Sequence, residues 1–345
     1  MASMTRCRCV EDGKPGAAVI EHYAMRARDG VGLIIAEGTF LGPNTTAFTH
    51  APVMFREDHA EAWRKVTDAV HREGGKIFFQ PWHVGPSGSP GNAPSTGNVA
   101  EFERLDDIIG EYTNAVSLAK RAGFDGVELL AGGAYLIHQF MINFYNSRSD
   151  NYSYHPVQNR CRLGLEVIDA IIKAWGTSRR VGIKFSPSDD WANATQSYTE
   201  LSETYEYFIH ELMARDLAYI HVNRRGSDKE ILRPRDPRPA NMLLPPDWEP
   251  LHQFGPMIKK PESRTALTVS CEYEIEEAAG LVRDGKLDLV QLGRPFIFNP
   301  DLITRIRHGL PFATNNRGPA VYYTPNLENI DEGYNDWPFA EDLKN

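Results

Sequence analysis

GVELLAGGAYL, residues 126 to 136, has the form of a buried strand that ends in a glycine-rich turn and opens a helix. A strand feeding a helix in this way is the repeating unit of an α/β fold, and the turn between them is where such enzymes normally carry catalytic groups. Leu129 to Ala134 nevertheless hold nothing that can donate, accept or titrate through a side chain. The first polar side chain is Tyr135.

The same unit recurs along the chain. Apolar runs bounded by Gly, Pro or Asp predict strands at 32–40, 76–83, 123–132, 180–187, 217–225, 266–270 and 287–297. Between several of them, apolar residues recur every three to four positions, as in 105–123, 161–176, 197–216 and 273–285, which predicts amphipathic helices. The stretch from Asp58 to Gly74 reads as a further helix, with Asp58 as its N-cap and Gly74 at its close. Strands alternating with helices imply parallel pairing through right-handed crossovers. The seven predicted strands are one short of a (β/α)8 TIM barrel, a single domain over residues 1–345. MASMTRCRC reads as the end of a strand running into a loop, so the first barrel strand is expected to be largely missing from the chain. A doubly wound open sheet is the alternative, weakened because no G-x-G-x-x-G follows the first run.

Composition narrows the function. The 345 residues are 41% hydrophobic and 24% charged, enough to bury a large core. A net charge of −9 argues against a nucleic-acid partner, and Arg224, Arg225, Lys229, Arg233, Arg235 and Arg238 are spread among prolines as in a solvated loop. Cys7 and Cys9 form a C-x-C pair without neighbouring ligands for a metal, and four scattered cysteines do not make a disulfide framework. No apolar run reaches the length of a membrane span, and no signal-peptide core precedes the first strand, so a cytoplasmic location is expected.

In a barrel the chemistry gathers at the carboxyl ends of the strands. Those ends present Ser3, Met4 and Thr5; Glu37 and Gly38; Gln80 and Trp82; Leu130, Gly133 and Tyr135; Lys184; Ser270; and Gly293 with Arg294. Neither a Ser/His/Asp set nor a carboxylate pair is among them. One amide (Gln80), one fixed cation (Arg294) and glycine turns that open helices suit a planar, phosphorylated, hydrogen-bonding ligand, with LGRPFIFNPDL placing Arg294 before a helix start.

The chain also resembles the old yellow enzyme family of FMN-dependent ene-reductases over nearly its whole length. The resemblance is carried by MTRCRC, GLIIAEGTF, FFQPWHVG, AGFDGVE, NSRSDNYSYHPVQNRCRLGLEVIDAI, VGIKFSP, LGRPFIFNPDL and GYNDWP. It implies a (β/α)8 barrel with FMN across the mouth and NAD(P)H as reductant of an activated C=C bond in a small-molecule substrate. It further implies that Thr5 and Gln80 bond the flavin ring, that Gly38 touches it through backbone, and that Lys184 stands where the family usually has arginine. Ser270, Gly293 and Arg294 fall in the phosphate loops, and Trp82 and Tyr334 at aromatic positions lining the substrate cavity.

The family pattern at the opening stretch is His-x-x-Asn-x-Tyr, in which His and Asn grip the substrate carbonyl and Tyr delivers a proton. Here those positions hold Leu130, Gly133 and Tyr135, so the carbonyl clamp is gone and the proton donor remains. The segment between Trp82 and Leu105, which usually forms part of the substrate rim, is shorter than the family norm, and its Gly, Pro, Ser and Asn content predicts a flexible loop. Tyr135 can equally be a packed helix residue, His138 either a replacement carbonyl ligand or a satisfied structural histidine, and His83 a structural element. Two functions stay open at this point. One is an FMN oxidoreductase acting on a specialised unsaturated substrate; the other is a redox-neutral isomerase, cyclase or binding protein on the same barrel.

Overall fold

A computed structural model describes residues 1–46, 48–86, 97–190, 193–225, 238–318 and 320–340. The strands are β1 (Ile34–Ile35), β2 (Thr39–Phe40), β3 (Ile77–Phe79), β4 (Pro81–Trp82), β5 (Gly126–Leu130), β6 (Val181–Phe185), β7 (Tyr219–Asn223), β8 (Ala266–Ser270) and β9 (Leu289–Gln291). The helices are α1 (Ala17–Arg28), α2 (Glu57–Arg72), α3 (Leu105–Arg121), α4 (Leu136–Phe140), α5 (Val157–Trp175), α6 (Tyr198–Met213), α7 (Pro250–Ile258), α8 (Ile275–Arg283), α9 (Pro295–Phe298), α10 (Leu302–His308) and α11 (Ala320–Tyr323).

Seven strands form one parallel sheet in the order β1-β3-β5-β6-β7-β8-β9, while β2 and β4 pair beside it. All seven expected strands are therefore present, in chain order. The amino-terminal residues lie between the two outer strands of this sheet. Ala2 N donates to Leu292 O at 2.8 Å, and Ile35 N donates to Met1 O at 3.0 Å. The sheet is that of an α/β barrel.

Period two along the strands divides their side chains. Val127, Leu129, Ile183, Phe185, Ile220, Val222, Leu267 and Val269 face the helices in the main apolar core. The alternate positions face inward. At the amino ends, Phe78 and Tyr219 stack at 6.1 Å over Gly126 and Gly182, where any Cβ would collide with their rings. One level higher the inward residues are polar. Glu128, His221, Thr268 and Gln291 lie there with 8% exposure or less.

Local chemistry explains most element ends. Ser197 caps α6 and forms a reciprocal box with Glu200. Asp58 does not cap α2: Arg56 occupies the N-cap position without a side-chain capping bond, and Asp58 sits in the first turn, where its charge still suits the helix dipole. The run 287–297 is not one strand, because Gly293 turns the chain and Pro295 starts α9 with its φ already helical. α7, with Pro at its first position and a second Pro inside, was not expected from the sequence.

Arg6, Arg8 and Arg26 are 1% exposed or less. Arg6 donates to the carbonyls of Val321, Tyr322 and Gly333 at 2.9–3.1 Å, and Arg26 to Phe296 O at 2.7 Å. Burial, then repulsion from its arginine neighbour, pushes Arg6 down to about 10 and Arg26 to about 9. No helix among the described residues is long and apolar enough to cross a membrane.

Candidate active site

The polar level of the barrel is one connected network. Ser3 Oγ donates to Gln80 Oε1 at 2.7 Å, and Gln80 Nε2 donates to Glu128 Oε1 at 2.8 Å. The other oxygen of Glu128 accepts from the Tyr219 hydroxyl at 2.9 Å and from Gln291 Nε2 at 3.2 Å, and meets His221 Nδ1 at 3.2 Å. Beyond His221 the chain of bonds continues through Ser270 Oγ (2.8 Å) to Asn223 and Ser186. Burial is the largest influence on the Glu128 carboxyl and opposes its charge. The bond and charge of His221, then Lys184 and Gln291, outweigh it and hold the carboxyl down to about 2. Gln80, Tyr219 and Gln291 converge on it as donors, as an ionised carboxylate requires. Burial keeps His221 itself below its ordinary value. Lys184 is half-buried next to this network, and its ammonium has no hydrogen-bond or ion-pair partner among the described residues.

The turn after β5 faces a different environment. Trp82 stacks on Phe40 at 4.5 Å and meets Tyr135 edge-on at 4.5 Å, with Leu130 packed against the same apolar cluster. The structure thus brings together Trp82, Leu130 and Tyr135. Gly38 lies under the Trp82 indole, which a Cβ there would overlap. Gly133 has φ +70°, a region glycine enters freely, and its N–H donates to Asp189 Oδ2 at 2.7 Å. Burial raises the Tyr135 phenol above its usual range, with Tyr323 and Asp189 adding to the effect.

His138 is buried beside this turn. Its Nδ1 accepts the Ala134 N–H at 3.1 Å, and burial lowers its pKa to about 4, so it is a neutral ring that fixes the turn. His83 is likewise buried and lowered to about 4, with Nδ1 accepting from Gly85 N at 2.9 Å.

Ser270, Gly293 and Arg294 lie at the ends of the last two strands. Arg294 Nη1 is 3.6 Å from Glu272 Oε1. α9 after Arg294 is only four residues long, so charge rather than a helix dipole is the feature available to an anion there. Thr5 is half-buried on the amino-terminal segment, next to Met4, whose sulfur would be 3.5 Å from a Cβ at Gly293. Tyr334 has other company: it is fully buried, stacked on His22 at 3.9 Å, with Arg6 and Arg8 5.0 and 5.3 Å from its ring. Sequence reasoning did not single out Glu128, Tyr219, His221 or Gln291, and two further residues escaped it. Asp189 follows β6 and anchors Gly133, and Tyr323 interacts electrostatically with both Tyr135 and Arg294. The acidic pair after SPS was the one available signal for the first. The loop stretch 87–96, together with Lys229, Arg233 and Arg235, lies outside the described residues. Among the described residues no group of three His, Cys, Asp or Glu could hold a metal.

Comparison with known proteins agrees with this geometry. The model of the NADH:flavin oxidoreductase / NADH oxidase family matches residues 1–313. The chain is 34% identical to a probable flavin mononucleotide-dependent alkene reductase of Leishmania infantum, across 98% of this chain and 92% of that protein. It is 32% identical to 12-oxophytodienoate reductase 7 of Oryza sativa subsp. japonica, across 98% and 90%. Among solved structures it superposes on morphinone reductase with a TM-score of 0.80 and 29% identity, covering all of this chain and 93% of that one.

FMN is the group such a family implies, and the donor set here can be tested against it. A flavin ring presents alternating donors and acceptors on one edge and an electron-rich side that favours a nearby cation. An oriented amide (Gln80) and an unpaired, half-buried ammonium (Lys184) suit that end. The tail end keeps a cation in Arg294, already shared with Glu272. The residues present fit a flavin, more closely at the ring than at the phosphate.

Proposed function

The chain belongs to the NADH:flavin oxidoreductase / NADH oxidase family, the old yellow enzymes, and from that premise we propose that it reduces the C=C bond of an unsaturated substrate that brings its own activating group. The chemistry FMN supplies when bound is two-electron carriage, from NAD(P)H to carbon. Thr5, Gly38, Gln80 and Lys184 would hold its ring, and Ser270, Gly293 and Arg294 its tail. We read the whole chain as one (β/α)8 domain, with residues 1–3 taking the place of an eighth strand. Their bonds to Leu292 and Ile35 support that reading.

The observation that carries the substrate class is the apolar wall around Tyr135. Trp82 and Leu130 pack there, and Gly133 spends its N–H on Asp189 rather than on a ligand. A carbonyl oxygen that gains charge next to such a wall finds no side-chain donor at positions 130 and 133. An iminium, nitro group or quinone carries its own electron sink and needs less help. Tyr135 is suited to deliver the proton, because its raised pKa keeps the phenol protonated through the neutral range. Trp82, Leu130 and Gly133 shape the wall, whereas the ring contacts of Tyr334 favour a packing role.

The test is anaerobic. Purified protein should show a flavin spectrum that NADH or NADPH bleaches, and a nitroalkene or quinone should restore it faster than 2-cyclohexenone does. Preference for cyclohexenone would overturn the substrate reading. The missing clamp also favours a second reading, redox-neutral isomerisation. Product formed without net consumption of NAD(P)H would select it.

A further inference from the structure

β8 ends at Ser270, and the next two residues, Cys271 and Glu272, both have left-handed backbone, φ 78° and 57°. That region is open to glycine and sterically costly for L side chains, so two in succession need support. Arg224 provides it. Its guanidinium donates to the Glu272 carbonyl at 3.2 Å, pairs through both terminal nitrogens with Glu277, and lies 4.0 Å over the Tyr273 ring. The turn so held delivers the Glu272 carboxylate to Arg294, 3.6 Å away. Glu274, Glu276 and Glu277 follow within five residues.

We infer that Glu272 is a specificity-determining residue for the flavin tail: its carboxylate occupies the guanidinium that a flavin phosphate would use, so the site prefers FMN over riboflavin far less than Arg294 alone would make it. The inference rests on the flavin reading of the barrel mouth. A phosphate monoester carries close to two negative charges. To reach Arg294 it must displace the Glu272 carboxylate, which then stays on the same turn, well within a Debye length of ~10 Å at 0.1 M salt. Opening the half-exposed pair costs little, but the repulsion that follows falls on phosphate alone. Riboflavin has the same ring and ribityl chain without that charge.

The experiment titrates the full chain, freed of flavin by dialysis, with FMN and with riboflavin, following flavin fluorescence. Wild type, Glu272→Gln and Glu272→Gly are compared, with melting temperature as a check on folding. Gln removes the charge and keeps the backbone; Gly also relieves the backbone. Both should tighten FMN by about three- to tenfold, the range expected of one half-exposed charge, and leave riboflavin unchanged. Unchanged FMN affinity in Glu272→Gln overturns the inference, as does equal tightening of both flavins, which would be backbone relief. Arg294→Ala supplies an independent arm. It should cost more FMN affinity in the Glu272→Gln background than in wild type, and equal losses overturn the inference. If neither flavin binds any form, the flavin reading itself fails, and this inference with it.

Discussion

Gln80 gives its amide nitrogen to Glu128 at 2.8 Å, so the orientation of the amide is set from inside the barrel. Its oxygen, which accepts from Ser3, is the face left for a ligand. An amide held this way offers an acceptor and selects an N–H edge.

The acid stability of the protein should report this carboxylate. A carboxyl lowered from 4.5 to about 2 stabilises the fold fully above its ordinary value, and that stabilisation is lost as pH falls through the window between them. Its size is about 3 kcal/mol. Wild type should lose melting temperature steeply between these pH values, and Glu128→Gln should start lower and show a flatter acid limb. Parallel limbs in the two proteins would mean that Glu128 is not ionised in the native state.

Restoring the clamp is the direct test of the apolar wall. Leu130→His with Gly133→Asn should speed anaerobic flavin reoxidation by 2-cyclohexenone, each donor being worth about 10²–10³ in rate. Asn tolerates φ +70°, but its Cβ would lie 2.9 Å from the Tyr135 ring, which must swing aside. A gain well below that of two donors, with normal flavin content, would place the obstacle in that ring movement. Fast turnover of cyclohexenone by wild type would sink the idea that the clamp matters.

Tyr135→Phe keeps the edge-on contact with Trp82 and removes the proton. Flavin reduction by NAD(P)H should be unchanged, while reoxidation by an alkene substrate should slow by about 10²-fold or more. Equal effects on both half-reactions would assign Tyr135 to packing.

Gly38→Ala should be costly for its size. The new methyl would overlap the Trp82 indole, which is wedged between Phe40 and Tyr135, so about 1–3 kcal/mol of stability should be lost along with native tryptophan fluorescence. A variant that melts like wild type would show that Trp82 has room to move.

The strand order was legible because apolar runs bounded by Gly, Pro or Asp alternate with helical patterns, which forces parallel neighbours in chain order. Lys184 was singled out at a strand end, whereas Glu128 and His221, single polar residues inside apolar runs, were not, although they form the polar level of the barrel. Their partners were not readable, because Glu128 meets His221 and Gln291 across 93 and 163 residues of chain. Leu130, Tyr135 and Trp82 were assigned to strand ends of one barrel face, and they pack in one apolar cluster. Tyr323 was missed for the opposite reason. It sits on a short helix outside the strand pattern, and only the folded chain brings it toward Tyr135. Glu272, just before the expected helix 273–285, carried no reading, and its left-handed backbone beside Arg294 appears only in the folded chain.

The buried guanidinium of Arg6 imposes an order on biosynthesis. It finds its carbonyl acceptors at Val321, Tyr322 and Gly333, more than 310 residues downstream. At roughly 5–20 residues per second, a ribosome needs about 15–60 s to deliver them. Throughout that interval the first segment of the barrel cannot dock without burying an unsatisfied cation. The nascent chain therefore has a long window in which the strand edges that flank residues 1–3 are open, and a holdase that covers those edges should raise the yield of folded protein more than a faster-folding core would.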